Sequence, residues 1–414
     1  MTCFLAAAML AGAPFQSTIT YNLIFSPKAL HSHGSCIVQC PNGDILACWY
    51  QGSGERNADD VRILGARLPA AVPSGPPLGH EGTWSPPFVM ADTPGFPDCN
   101  PCMTVDPRGR LWLFWPTILD NTWESALLQM KVSRNFQKPG APVWEREGVV
   151  LLKPGPEFQQ AVDRDLDRQW APFRAQASPA DLAKLDAYLA QKHEQSRIKL
   201  KVRLGWMPRA HPYIMGGKRL IVPLYSDGFD FSLMAITDDW GQTWKASEPL
   251  VGPGNVQPTL AQRNDGTLVA FFRDNGPPPQ RIMTSTSTDG GLTWSLARDI
   301  DLPNPGSGLD VCVLRDGRWL LAYNDTEDGR HSLAISISTD EGRTWSRTRH
   351  LEHDTPGPDA GSYAYPSMIQ ARDGSIWVSY SWTGNREARE RLGSGESIMV
   401  AHFSLSWLEE AAAR

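Results

Sequence analysis

The chain has 414 residues and a formal net charge of −6, with 41% hydrophobic and 20% charged residues. This length allows two or three ordinary domains or one large repeat-built domain, and the apolar fraction excludes wholesale disorder. The mildly acidic charge, without a long basic run, argues against non-specific nucleic-acid binding and a polybasic membrane anchor, and no apolar run approaches the length of a membrane-spanning helix.

Residues 3–13 form an apolar stretch of small side chains at the N-terminus. Ala11-Gly12-Ala13 resembles a signal-peptidase site, yet no Lys or Arg precedes the stretch as a signal peptide normally requires. A secretory signal and a simple N-terminal extension therefore both stay open. The seven cysteines are odd in number and lack framework spacing, so we expect buried, reduced thiols, which favours the cytoplasm. A signal within residues 1–13 would instead imply a periplasmic or secreted protein.

Turn signals recur along the chain and mark candidate β-hairpins. They are Asn42-Gly43, Arg108-Gly109, Gly216-Gly217, Asp265-Gly266, Asp316-Gly317 and Asp373-Gly374. Apolar or alternating runs flank each turn, as in residues 36–40 and 45–50, which is typical of hairpin strands. A third strand follows each hairpin, for example at residues 232–236 and 332–338. A fourth strand begins near a tryptophan in five units, at Trp84, Trp144, Trp244, Trp294 and Trp345.

Residues 156–203 interrupt this pattern with a helical segment. Leu182, Leu185 and Leu189 recur at helical spacing. Ser178 is a suitable N-cap because it precedes Pro179, a residue favoured at the first helical position. The pattern predicts a helical insertion between the second and third units, either a packing decoration or a lid over a functional site.

A second repeat has the pattern S/T-x-D-x-G-x-T-W. It occurs at Thr237-Asp-Asp239-Trp-Gly241-Gln-Thr-Trp244, Ser287-Thr-Asp289-Gly-Gly291-Leu-Thr-Trp294 and Ser338-Thr-Asp340-Glu-Gly342-Arg-Thr-Trp345. Asp and Thr side chains hydrogen-bond to nearby backbone in tight turns, and Gly supplies the backbone freedom that the turn needs. The tryptophan is expected to pack between neighbouring sheets. These Asp residues are therefore interpreted as turn formers rather than catalysts.

Four strands per unit and six units of about fifty residues indicate a β-propeller. The last unit, residues 362–403, lacks a late tryptophan, and the apolar strand at residues 19–25 is expected to complete its sheet, because closure removes exposed sheet edges. We therefore predict an all-β, six-bladed β-propeller of four-stranded antiparallel sheets. Residues 1–414 form this one domain, with residues 156–203 inserted as helices between blades 2 and 3.

Propeller topology brings the starts of the first strands and the loops after the second strands to one rim. The first-strand starts carry His31, His33, Asn100, Arg209, His211, Gln257, Asn304, Asp310, Tyr363 and Tyr365. The loops carry Glu55, Asp59, Asp60, Trp123, Tyr225, Asp227, Arg273, Asn324, Arg330, Trp382 and Arg386. Convergent Arg, acidic and aromatic groups in such a mouth indicate a small, polar, anionic ligand. A carbohydrate fits the aromatic content.

These motifs resemble the sialidase (neuraminidase) superfamily of BNR or Asp-box repeat proteins. The three Asp boxes and Tyr363-Ala-Tyr365-Pro carry the resemblance, and the segments at residues 33–37, 302–310 and 365–370 are similar to its bacterial sialidase-like branch. The resemblance implies a Tyr nucleophile, an exception among glycoside hydrolases, and Tyr363 matches that position. It also implies an acid in the long loop of the first blade, where Asp60 matches, with Asp59 beside it and Glu55 nearby.

This sequence departs from the family pattern at two points. The family pairs its Tyr with a Glu, but Gln257 stands in the matching segment, and an amide cannot take the proton. The family also holds the sugar carboxylate with three Arg, of which Arg273 and Arg330 match two, whereas His33 replaces the third. His33 and His211 are alternative proton-transfer groups. The predicted substrate-binding residues are Arg273, Arg330, Arg209, Glu55, Asn100, Tyr225, Asp310, Tyr365 and Trp382.

Three functions follow from this reasoning. The first is a sialidase-like glycoside hydrolase that acts on terminal acidic sugars of glycans. The second is a propeller polysaccharide lyase or a glycosidase for rhamnose–uronate glycans, with His33, His211 and Tyr363 as acid or base. The third is a non-catalytic glycan-binding propeller. We expect a carbohydrate as partner, no nucleic acid, no membrane span and no cofactor. Cys99-Asn-Pro-Cys102 is a single CxxC pair and a weak zinc signal.

Overall fold

The computed structural model describes residues 19–70 and 84–410, so the N-terminal stretch at residues 3–13 lies outside the described residues. Within the described part, twenty-five strands form six antiparallel sheets. Each sheet contains one of the predicted hairpins, and the inner strands of neighbouring sheets pack on one another around a common axis. The predicted six-bladed β-propeller is therefore confirmed.

The first strand, β1 Ile19–Leu23, belongs to the last blade. Blade 1 contains β2 His31–Gln39, β3 Ile45–Gly52, β4 Arg62–Leu68 and β5 Phe88–Ala91. Blade 2 contains β6 Cys102–Val105, β7 Leu111–Ile118, β8 Ala126–Ser133 and β9 Arg146–Val149, with a 3₁₀ turn at Trp123–Ser125. Blade 3 contains β10 Met207–Pro208, β11 Tyr213–Met215, β12 Arg219–Ser226, β13 Phe231–Thr237 and β14 Lys245–Ala246.

The remaining blades follow the same plan. Blade 4 contains β15 Asn255–Gln262, β16 Leu268–Asp274, β17 Arg281–Ser287 and β18 Arg298–Pro303. Blade 5 contains β19 Asp310–Val313, β20 Trp319–Tyr323, β21 Ser332–Ser338 and β22 Ser346–His353. Blade 6 contains β23 Ser362–Gln370, β24 Ile376–Thr383 and β25 Glu396–Phe403. Strand β1 pairs with β25 along its whole length, so the N-terminal strand completes the sheet of blade 6.

Blade 3 differs from the four-strand prediction, because its inner strand is split. Strands β10 and β11 both pair with β12, and residues 209–212 between them make no ladder pairing. Pro208 and Pro212 flank this break, and proline has no backbone N–H to donate to a ladder. The interruption leaves Arg209 and His211 outside the ladder at the propeller axis.

The Asp boxes form the predicted turns. Asp289 accepts hydrogen bonds from the Ser287 hydroxyl at 2.8 Å and from the Thr293 hydroxyl at 2.6 Å. The boxes also place tryptophans between blades, since the ring of Trp345 meets that of Phe271 in blade 4 at a centroid distance of 5.6 Å. The Asp residues of this motif therefore act as turn formers.

The helices α1 Pro156–Gln176, α2 Pro179–Arg197 and α3 Lys199–Arg203 fall in the predicted insertion. The Ser178 side chain caps α2 by accepting from the Asp181 backbone N–H, with Pro179 at the first helical position. Two short helices, α4 Arg386–Leu392 and α5 Leu405–Glu409, lie in blade 6. None of the helices in residues 19–70 and 84–410 has the length and apolarity that a membrane crossing needs.

Candidate functional site

A cavity of about 260 Å³ opens on the rim where the first strands start and the loops after the second strands end. We call it the central cavity. Its lining residues are His33, Tyr50, Glu55, Asn100, Trp123, Tyr225, Asp227, Gln257, Arg273, Asn275, Arg330 and Tyr365. They come from all blades, with first-strand starts and second-strand loops both represented. The topology therefore brings many of the predicted rim residues to one place.

Irregular backbone aims several of these side chains into the cavity. The inner strands β2, β15 and β23 each lose register for two residues near their starts. At these breaks Gly34, Gln257 and Tyr365 have φ values of 64°, 53° and 56°, and Asn100, just before β6, has 40°. Non-glycine residues adopt this region at a cost, and such strain is concentrated at functional sites. The repeated bulge turns side chains towards the propeller axis.

Tyr365 lies at the centre of the polar contacts in the cavity. Its hydroxyl accepts from Arg273 Nη1 at 2.8 Å and from Gln257 Nε2 at 3.4 Å. The Arg209 and Arg330 guanidinium carbons lie 4.9 Å and 5.2 Å from the centroid of its ring. Burial raises the pKa of Tyr365, but the charges of Arg273, Arg330 and Arg209 outweigh burial and lower it. The phenol is therefore primed to ionise.

Three guanidinium groups thus surround one tyrosine, but only two of them line the cavity. Arg273 and Arg330 face it, whereas Arg209 is 1% exposed and donates to the Ser35 and Pro366 carbonyl oxygens at 3.4 and 3.0 Å. Arg273 and Arg330 are available to hold a carboxylate. Arg209 lies against the tyrosine ring and supplies charge there without lining the cavity.

A second cluster surrounds Glu55. Its Oε1 accepts from the Tyr50 hydroxyl at 2.6 Å and lies 3.1 Å from His31 Nε2, and His31 also contacts Glu396 at 2.9 Å. Burial raises the pKa of Glu55, but the hydrogen bonds from His31 and Tyr50 lower it to about 2. Burial lowers the pKa of His31, but the bonds to Glu396 and Glu55 raise it to about 9. Glu55 is therefore a carboxylate paired with an imidazolium.

His33 lies between this cluster and Tyr365. Its ring centroid is 4.4 Å from that of Tyr365 and 5.4 Å from that of His31. Burial lowers the pKa of His33 well below its ordinary value, and the positive charges of His31 and Arg330 lower it further. His33 is consequently a neutral imidazole.

Asp227 is a carboxyl group in the cavity whose pKa is raised, in contrast to that of Glu55. Burial raises its pKa to about 6, partly offset by the charge of Arg273. A carboxyl group with a pKa near 6 keeps a proton in mildly acidic solution and can donate it to a leaving group. The sequence placed Asp227 on the rim, but only burial in the assembled cavity separates its behaviour from that of Glu55.

The structure places Tyr363, the predicted nucleophile, outside the central cavity. Its hydroxyl donates to Asp354 Oδ2 at 2.7 Å, and burial together with this bond raises its pKa. Its side chain and that of Trp382, a predicted substrate-binding residue, line a separate pocket with Glu352 and Asn385. The cavity therefore brings in Tyr365 where the family resemblance indicated Tyr363.

Asp60, the predicted acid, also does not line the cavity. It is exposed, and both its oxygens accept from the Ser53 backbone N–H at 3.0 and 3.1 Å. These bonds, with one from the Ser53 hydroxyl, lower its pKa. Its neighbour Asp59 accepts from Asn121 at 2.9 Å. In the structure, Asp60 holds the first-blade loop that carries Glu55.

His211 and Asp310 lie deeper along the axis. His211 Nδ1 is 3.0 Å from Asp310 Oδ2, and His211 Nε2 is 2.8 Å from the Ile37 carbonyl oxygen. Asp310 also accepts from the Thr259 hydroxyl and the Met368 N–H, both at 2.8 Å. These contacts tie blades 1, 3, 4, 5 and 6 together. Neither side chain lines the central cavity.

Tyr50 and Asn275 line the cavity but were not among the predicted site residues. Tyr50 lies inside β3, where alternation gives no sign that its hydroxyl reaches Glu55. Asn275 directly follows β16, the second strand of its blade, and this position was the available signal. In residues 19–70 and 84–410, no group of three or more His, Cys, Asp or Glu side chains is arranged to hold a metal ion.

The sequence of this chain is similar to those of known proteins. Residues 192–378 match the BNR repeat-like domain family. The sialidase of Micromonospora viridifaciens is 24% identical over 397 residues, an alignment that covers 84% of this chain and 56% of that protein. The chain thus spans about half the length of this relative.

Solved structures share the fold. A protein of unknown function from Dyadobacter fermentans aligns with a TM-score of 0.65 at 16% identity, over 95% of this chain and all of that one. The NanB sialidase of Streptococcus pneumoniae aligns with a TM-score of 0.62 at 14% identity, over 95% of this chain and 71% of that one. At these identities the likeness concerns the propeller itself.

Proposed function

Because this chain belongs to the sialidase-like superfamily of BNR repeat proteins, we propose that it is a glycoside hydrolase that removes a terminal acidic sugar from a glycan. The observation that carries the proposal is the Tyr365 hydroxyl held 2.8 Å from Arg273 in a cavity that also contains Arg330 and Asp227. In this proposal the central cavity contains a nucleophile, two arginines that bind the sugar carboxylate, and an acid.

Tyr365 is the proposed nucleophile. Arg273 and Gln257 donate to its oxygen, and the three guanidinium groups favour its ionised form. In this proposal the guanidinium groups and the Gln257 amide lower the pKa of Tyr365, in place of the Glu that the family carries beside its tyrosine. The phenolate oxygen would attack the anomeric carbon as the glycosidic bond breaks, giving a covalent glycosyl–tyrosine intermediate.

Asp227 is the proposed proton donor. With a pKa of about 6 it carries a proton in acidic solution up to about pH 6 and would deliver that proton to the departing oxygen. The resulting carboxylate would then take a proton from the water that cleaves the intermediate. This second step restores both Asp227 and the Tyr365 phenolate.

Arg330 and Arg273 are the proposed clamp for the sugar carboxylate. Both line the cavity, and guanidinium groups recognise carboxylates through paired N–H donors. With His33 in place of a third Arg, the clamp carries less positive charge than that of the family. The proposed substrates therefore include terminal uronic acids as well as sialic acids.

A polysaccharide lyase acting on uronate glycans is the second candidate, favoured by the environment of His33. Its neutral imidazole lies against Tyr365 and is able to take a proton from the carbon beside a sugar carboxylate. Gln257 and Asn100 are neutral amides in the cavity lining, and their side-chain N–H groups would donate to that carboxylate. The glycosidic oxygen would then leave by elimination.

The test uses fluorogenic α-sialoside and β-glucuronide substrates with wild type and Tyr365→Phe, and adds sialylated and uronate-containing oligosaccharides with chromatographic detection. We expect release of the acidic sugar by wild type and its loss in the variant. A product with a new ultraviolet-absorbing C=C bond would replace the hydrolase by the lyase. Calorimetric binding of a glycan without any turnover would instead leave a glycan-binding propeller and contradict both reactions.

A further inference from the structure

The helical insertion is fixed to the rim that carries the central cavity. Phe158 of α1 packs on Phe229 and Trp206 with ring centroids 5.3 and 6.0 Å apart. Lys192 of α2 lies 3.2 Å from Asp230, in the loop that follows β12 and carries Asp227. The insertion is therefore joined to a cavity-forming loop by apolar packing and by charge.

A cleft of about 290 Å³ lies between the insertion and the rim, and we call it the insertion cleft. Trp170 and Tyr188 form its helical side, and Asp230, Gly254, Asn275, Gly276 and Pro277 form the side of blades 3 and 4. Asn275 also lines the central cavity. The two spaces thus meet at one residue on the same face of the propeller.

The helical side of the cleft is a rigid aromatic wall. Trp170 and Tyr188 are half-buried, with ring centroids 5.2 Å apart and planes inclined by 59°. The Tyr188 hydroxyl donates to Asp230 at 3.0 Å, which fixes its ring. On the opposite side the backbone segments at Gly254 and Gly276 pack closely on each other, since a Cβ at Gly254 would lie 2.3 Å from the Gly276 nitrogen. The cleft therefore has aromatic rings on one side and closely packed glycine backbone on the other.

The charges in the cleft indicate a neutral occupant. Asp230 contributes a carboxylate to the lining of the cleft, and Lys192 and Tyr188 already bind this carboxylate. A charged ligand would find no uncompensated partner there. Sugar rings, by contrast, present C–H faces that pack on aromatic side chains, while their hydroxyl groups stay hydrated at the open edge.

We propose that the insertion cleft is a subsite for a neutral sugar of the leaving group, so that the substrate is an oligosaccharide with an acidic terminal residue. This inference rests on the proposed function. The central cavity, at about 260 Å³, is at the small end of ligand sites and suits one sugar ring. The remainder of the glycan must leave the cavity, and the cleft that shares Asn275 provides an aromatic surface directly beside it. Trp170 is the main stacking residue.

The test compares substrates that share the acidic sugar but differ beyond it. The pairs are methyl α-sialoside with 3′-sialyllactose, and methyl β-glucuronide with a glucuronic acid-terminated tetrasaccharide. Wild type, Trp170→Ala and Phe173→Ala are measured by kcat/KM and by titration calorimetry. Phe173 is the matched control, because it neighbours Trp170 on α1 with a ring distance of 5.5 Å but does not line the cleft.

In at least one pair we expect wild type to prefer the longer glycan, in affinity or in kcat/KM. Trp170→Ala should lower that preference about tenfold and change the methyl glycoside less than twofold, whereas Phe173→Ala should keep the preference. Absence of any length preference, or its survival in Trp170→Ala, would overturn the subsite. Trp170-dependent binding of the longer glycan without turnover would retain the subsite and refute the hydrolase.

Discussion

Two tyrosines on one strand allow a direct test of the proposed nucleophile. Phenylalanine at position 365 removes an oxygen that accepts from Arg273 and Gln257, while the ring keeps its contacts with His33 and Arg209. Phenylalanine at position 363 removes a hydroxyl that donates to the Asp354 carboxylate at 2.7 Å. Hydrogen bonds to charged groups contribute about 1.5–3 kcal/mol, so both variants should lose about 2 kcal/mol of unfolding free energy.

Their activities should differ sharply. Loss of a covalent nucleophile is expected to lower kcat/KM of Tyr365→Phe by at least about a thousandfold, or ~4 kcal/mol in barrier height. Tyr363→Phe should stay within about twofold of wild type, because its side chain lines a different pocket. The assay is release of the acidic sugar, with urea denaturation as the control for stability. Equal losses in the two variants, or near wild-type rates in Tyr365→Phe, would refute the assignment.

Three further outcomes are expected. With the pKa of Asp227 at about 6, kcat/KM should fall as the pH rises above about 6. This fall should be missing from the pH profile of the residual activity of Asp227→Asn, and an unchanged profile would exclude Asp227 as the acid. Asp289→Ala removes the hydrogen bonds from Ser287 and Thr293, so it should lower the unfolding free energy in urea by about 1–2 kcal/mol while activity is retained. Lost activity without lost stability would contradict the turn-forming role. The folded-state pKa of His31 is raised from 6.5 to about 9, so its contribution to stability is full below pH 6.5 and is lost as the pH rises through 9. In urea denaturation at a series of pH values, His31→Gln should remove this decline in unfolding free energy. A decline that persists in the variant would show that another group causes it.

The fold was largely predictable because its signals are local. Turn residues, strand alternation and the Asp box act within a few residues of chain, and their repetition at about fifty residues specifies the blades. The cap at Ser178 is similarly local, and the structure has it as predicted. The split of the inner strand in blade 3 was missed although Pro208 and Pro212 signalled it.

The rim was predictable for the same reason, since strand order alone decides which loops share a face. His33, Asn100, Gln257, Arg273 and Arg330 all reach the central cavity. What a given carboxyl group does there was not predictable, because burial and neighbouring charges decide it. Glu55 and Asp227 are both acidic loop residues, yet their pKa values are about 2 and about 6.

The choice between Tyr363 and Tyr365 shows most clearly what tertiary structure decides. Residues two apart on a regular strand project to the same face, so alternation gives both tyrosines one environment. In β23 the pairing breaks between Ala364 and Ser367, and Tyr365 adopts a φ of 56°. That bulge sends Tyr365 to the arginines at the axis and leaves Tyr363 beside Asp354. The sequence alone determined the blades and the rim, whereas only contacts between distant blades hold the strained turn that brings Tyr365 into the central cavity.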